Sequence, residues 1–138
     1  MNLNIAGYTA LILILLSGLA RGTRDAIEFH TQKFHEVTNT KGSKFWNKTG
    51  LTYLNKYKDG TREPKFILST TLFVSFTDSW HLLSMIERLL LLISFGLLFF
   101  ISYEPTTSFF YKIIIAIIIA SIYFVNSLGF YIAYKLIF

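Results

Sequence analysis

The sequence predicts an all-α membrane protein with three antiparallel transmembrane helices, the first two extended beyond the bilayer into a polar cap. Three observations lead there. Hydrophobic residues make up 53% of the chain and charged residues 15%, against roughly 25% charged in an ordinary soluble domain. The apolar residues are gathered into long runs, which a bilayer accommodates and a solvated surface does not. The charge is equally localised: ten of the 13 Lys and Arg residues, and five of the eight acids, fall between Arg21 and Lys65. At 138 residues the chain reads as a single membrane domain, 1–138.

The first helix is expected over about 3–36. Leu3 to Ala20 is apolar and 18 residues long, just enough to cross a hydrocarbon core. A cleaved signal peptide is the alternative. It is disfavoured because Met1 and Asn2 carry no positive side chain and Gly18-Leu19-Ala20 is not Ala-x-Ala. No breaker follows Ala20, and Arg21/Asp25 and Arg24/Glu28 are opposite charges at i,i+4, so the helix should run on out of the membrane. Gly18 and Gly22 form a small-xxx-small pair suited to close helix contact, as do Ala116 and Ala120.

About 37–68 is an amphipathic connector. Phe45, Trp46, Leu51, Tyr53, Leu54 and Tyr57 alternate with lysines, a pattern that suits the headgroup layer, and Asp59-Gly60 marks a turn. A long helix is expected over about 69–102, capped by Ser69 or Thr70. A short strand over Phe66 to Phe76 is the alternative, because β-branched and aromatic residues are frequent there. Glu87-Arg88 does not divide this helix into two spans, since Leu89 to Ser102 supplies only 14 residues. Glu104-Pro105-Thr106-Thr107-Ser108 is a polar turn. The last helix, about 108–138, is apolar almost throughout.

Short loops rich in Lys and Arg stay in the cytoplasm. That rule places the connector, 21–66, and the C-terminus inside and the N-terminus outside, in a multi-pass protein of the cell membrane. Trp46, Tyr53, Tyr57, Trp80, Tyr131 and Tyr134 are the expected membrane-interface residues. Nucleic acid is not an expected partner. The lipid bilayer is, together with a second copy of the chain or another membrane protein. There is no cysteine, which removes disulfides, thiolate metal sites and a Cys nucleophile.

The first helix leaves the membrane where the second enters it, so Asp25 and His30 come to a depth similar to that of Asp78 and His81. Asp and His suit a divalent metal such as zinc, manganese or iron, and they suit acid–base catalysis equally. These four residues are therefore the candidates both for catalysis and for a metal. The plain alternative is an Asp–His hydrogen bond that pins two helices. On the second helix Ser75, Asp78, His81, Met85 and Arg88 follow the 3.6-residue period. An intramembrane Arg88 calls for a partner, a cavity, or snorkelling to the headgroups. No phosphate loop, dinucleotide fingerprint or Gly-x-Ser-x-Gly elbow is present.

The motifs Asp25-x4-His30, Phe45-Trp46, Asn55-Lys56-Tyr57-Lys58, Ser69-Thr70-Thr71 and Thr77-Asp78-x-Trp80-His81 resemble an uncharacterised family of short bacterial and phage integral membrane proteins. The resemblance covers about the first two-thirds of the chain. It implies a similar three-span arrangement and no particular activity.

Three functions are therefore expected, in order. The first is a small membrane protein acting through helix or partner contacts at the cytoplasmic surface. The second is a metal-binding or hydrolase-like membrane enzyme using the Asp/His residues on a lipid or other membrane substrate. The third is a holin-like or channel protein, which the absence of a polar stripe along the last span disfavours.

Overall fold

The computed structural model describes residues 3–71, 73–102 and 109–137, so the Glu104–Ser108 turn lies outside the described residues. All described elements are helical: α1 (Leu3–Phe29), α2 (Thr31–Thr38), α3 (Thr49–Thr52), α4 (Ser79–Ser102) and α5 (Phe109–Ile137). No strand occurs among the described residues. One antiparallel bridge, Tyr57 to Pro64, closes a small loop around Asp59-Gly60. Among the described residues two helices are long and apolar enough to cross a membrane, Ile5–Phe29 and Ser79–Phe99.

The helix expected over 3–36 is broken at His30, which has φ −136° and ψ 40°. The Thr31 hydroxyl donates to the Ile27 carbonyl at 2.5 Å beside the break. The backbone ladder spans it, with His30 N–H on Ala26 O at 2.9 Å and Phe34 N–H on His30 O at 3.0 Å. α2 ends at Asn39, whose φ of 53° is the left-handed conformation that Asn tolerates at a helix C-terminus.

The second expected helix is also shorter than 69–102. It begins at Ser79, and the described residues 66–71 and 73–78 form neither α-helix nor strand but turns and a 3₁₀ segment, Val74–Phe76. Leu68 has φ 59°, and its carbonyl accepts the N–H groups of both Thr71 and Phe73 at 3.0 Å. Ser69 cannot cap a helix here because its hydroxyl donates to Lys56 O at 2.7 Å, tying the end of the connector back on itself.

α1 is the central helix, with α4 and α5 packed on it. In their most apolar windows, 39% of α1 is buried against 17% of α4. The α1–α5 contact is a close backbone approach. A β-carbon at Gly18 would stand 2.0 Å from Asn126 O, one at Gly22 2.5 Å from Phe130 O, and one at Gly129 2.2 Å from Leu15 O. Only glycine permits that spacing. Beside it the Asn126 amide donates to the Ser17 hydroxyl at 2.7 Å, and Ser17 donates to Ile14 O at 2.7 Å, so neither polar group is stranded among apolar neighbours. Ala120 is exposed, and the side chain of Ala116 lies outside the described residues.

The buried cluster sits at one end of this assembly. Ala20, Ala26, Ile27, Phe34 and Leu83 form it, with Trp46, Ile86 and Tyr134 against them. It joins α1, α2 and α4 to the connector and holds the start of α4 in place.

Candidate functional site

Thr77–His81 is the start of α4, built around Asp78. Asp78 Oδ1 accepts the His81 backbone N–H at 3.0 Å, and the Asp78 carbonyl accepts the first helical bond, from Leu82 N–H at 3.1 Å. This is N-cap geometry, and it satisfies one of the donors that a helix start leaves open. A second donor, Ser79 N–H, goes to Phe45 O of the connector at 3.1 Å. Asp78 Oδ2 lies 2.7 Å from His81 Nδ1. A carboxylate only accepts, so Nδ1 carries the proton and Nε2 is left as the outward polar atom of the ring. The Thr77 hydroxyl is 3.2 Å from the same Oδ2, with its shorter bond going to Val74 O at 2.7 Å. Asp78 is only 1% exposed, and these bonds offset the desolvation of its carboxylate.

Asp78 and His81 thus meet, but not as two residues of one helical face. Asp78 precedes the first turn and folds its side chain over it. Asp25 and His30 do not join them. Asp25 Oδ1 accepts from Arg24 Nε at 3.2 Å, and His30 Nε2 hydrogen-bonds the Tyr134 hydroxyl of α5. Among the described residues no three His, Asp or Glu side chains stand where they could hold one metal ion. The expected four residues are therefore divided among three contacts, Asp78 with His81, His30 with Tyr134 and Asp25 with Arg24.

The residue that does connect the two helices is Arg24. Its Nη1 donates to Glu87 Oε2 at 2.7 Å and lies 3.3 Å from Ser84 Oγ. Its Nε reaches Asp25, and its guanidinium carbon lies 5.7 Å from the centre of the Trp80 ring. The Arg24 and Glu87 side chains are 19% and 16% exposed, so this pair is sheltered. Sequence reasoning paired Arg24 with Glu28 and left Glu87 beside Arg88. The signal that could have found the contact was the one used for Asp25, matching depth on antiparallel helices, applied to opposite charges.

The expected interface residues divide. Tyr53 and Tyr131 are exposed, at 52% and 58%. Trp46 turns inward, its ring centre 6.0 Å from that of Phe34. Tyr134 stacks on Phe130 at 5.5 Å. Trp80 is half-buried between Arg24 and His81, and Tyr57 has Lys56 Nζ 5.4 Å from its ring centre.

Two cavities adjoin this region. One of about 480 Å³ lies within the connector, lined in part by Lys44, Phe45, Asn55, Lys65, Phe66 and Thr77. The other, about 260 Å³, lies against the first two turns of α4 and is bounded by Val74, Ser75, Trp80, His81, Ser84, Met85, Arg88 and Leu89. Four of the five residues of the predicted stripe line it. Asp78 does not, because it is committed to the cap. Compared with protein-family models, with curated proteins and with solved structures, the chain matches none.

Proposed function

We propose that the chain is a three-span integral membrane protein that acts through contacts made by its connector at the cytoplasmic membrane surface, without chemistry of its own. In this reading α1, α4 and α5 all cross the bilayer, the N-terminus lies outside, and residues 21–66 and the C-terminus lie inside. α5 has 29 residues and would be about 43 Å long at 1.5 Å per residue, enough to cross. The concentration of Lys and Arg in the connector supports the orientation. The motif resemblance to small phage and bacterial membrane proteins belongs to the same proposal and adds no activity.

One observation carries the reading. The connector and the turns that follow it expose large apolar side chains, among them Leu51, Leu54, Ile67, Leu68, Phe73 and Phe76, with Ile67 at 83% exposure. Lys44, Lys48, Lys58 and Lys65 are exposed on the same segment. Apolar groups left out of a small core and ringed by cations have a partner in the headgroup layer, where the one meets acyl chain and the other phosphate. In this reading Asp78 serves the helix, its Oδ1 capping α4 through the His81 backbone N–H and its Oδ2 holding the His81 ring.

The test is the depth of the connector. With Ile67→Trp in a Trp46→Phe, Trp80→Phe background, bilayers of brominated lipid should quench the new fluorophore strongly. Emission unchanged by brominated lipid, with the helices intact by circular dichroism, would remove the membrane-surface reading of the connector.

A further inference from the structure

We propose that the cavity beside His81 and Arg88 binds a phosphate group, supplied by a phospholipid headgroup when the chain is in a bilayer. The site rests on the reading of α4 as a membrane span.

The placement comes from the helix. His81, Ser84 and Arg88 stand at i, i+3 and i+7, so they share one side of the first two turns of α4. The 3₁₀ segment adds Val74 and Ser75 across from them. The charge balance of this wall is one-sided. Asp78 is held by His81 and the helix N–H, and Glu87 is held by Arg24. Arg88 forms no ion pair among the described residues and is exposed. An unneutralised guanidinium one to two turns into a span is costly unless an anion meets it, and its forked donors match phosphate oxygens.

A second polar group stands at this wall: the Ser84 hydroxyl, in a residue 5% exposed, accepts from Arg24 Nη1 and lines the cavity. The His81 ring is held in one orientation by the 2.7 Å contact to Asp78, which puts its remaining nitrogen at the same wall.

The shape favours a lipid as the source. Trp80, Met85 and Leu89 give the cavity apolar sides. Leu89 and Leu92, on the outer surface of α4, are 48% and 69% exposed, so an acyl chain leaving the cavity would run along them. At about 260 Å³ the space admits a headgroup phosphate but not a large polar molecule.

Trp80 lines the cavity and reports on it. In detergent, the Trp46→Phe protein is titrated separately with short-chain phosphatidic acid, with short-chain phosphatidylcholine and with inorganic phosphate. A saturable change in Trp80 emission with phosphatidic acid is expected, weakened about tenfold by Arg88→Gln. Arg88→Lys should bind with intermediate strength, and cross-linking of cysteines placed at Ser17 and Asn126 should be unchanged in both variants. Saturation by inorganic phosphate as well, with the same dependence on Arg88, supports the phosphate site with a free anion as its source. Saturation by phosphatidylcholine with the same dependence on Arg88 also supports the phosphate site, whereas no saturable response to any of the three ligands, or equal affinity in Arg88→Gln, overturns the proposal. Partition into vesicles is measured alongside. A chain that stays out of bilayers but binds phosphate through Arg88 removes the membrane reading and leaves the site standing.

Discussion

Arg24 carries more of the tertiary structure than any other polar side chain described. Its guanidinium meets a carboxylate on its own helix, a carboxylate and a hydroxyl on α4, and the face of Trp80. Removing one partner of a sheltered ion pair costs more than the pair contributes, because the other charge remains desolvated. Arg24→Ala should therefore lower unfolding stability in detergent by about 2–3 kcal/mol, by stranding Glu87. Adding Glu87→Gln to that variant should restore part of the loss. If chemical denaturation finds the single variant within a few tenths of a kcal/mol of the parent, the contact is not stabilising. Asp78 illustrates the other side of residue-scale reading. Its pairing with His81 follows from a spacing of three, but that spacing also suits an N-cap, and burial inside the connector selects the cap.

At the scale of the element, α1 and α5 are held together by the absence of side chains. Gly18, Gly22 and Gly129 let the backbones meet, and Ser17 and Asn126 hydrogen-bond beside them. Gly18→Leu has no room against the Asn126 carbonyl, so α5 must move away. Because the chain has no cysteine, Ser17→Cys with Asn126→Cys forms a clean reporter. The pair should form a disulfide under mild oxidation in the parent and lose it in the Gly18→Leu background. Retention of the cross-link there would show that α1 and α5 do not depend on that approach. The two helix limits that depart from expectation are set locally. The backbone turns at His30, and Ser69 is drawn to Lys56 O. Both acts are short-range, yet neither is visible in an apolar periodicity, which reports the face of a helix and not its ends.

For the whole molecule, α1 between α4 and α5 makes the first helix the one whose register fixes the others. The proposed orientation has a direct check. A cysteine placed at Arg62 should be labelled by an impermeant maleimide only after cells are opened, and one placed at Asn2 should be labelled in intact cells. The reverse pattern would invert the topology. Labelling of both from one side would mean that α1 does not cross the bilayer.

The long apolar runs and the crowding of charge between Arg21 and Lys65 predict, without any structure, an all-helical chain with three spans; the described elements are helical, and two helices among the described residues are long and apolar enough to cross a membrane. Those are properties of composition and period, summed over many residues and insensitive to any one contact. The Gly18-Gly22 spacing was legible only as a common pattern, which Ala116-Ala120 shares, and the approach of α5 to Gly18 and Gly22 is what singles that pair out. The candidate site was legible only as a set of residue types at similar depth. Which of them meet depends on where α4 begins and on which hydroxyl reaches which carbonyl. Each of these is decided by a few ångströms of approach between segments far apart in sequence. Arg24 meets Glu87 across 63 positions and His30 meets Tyr134 across 104, and only the packing of α1 against both neighbours brings those side chains within reach.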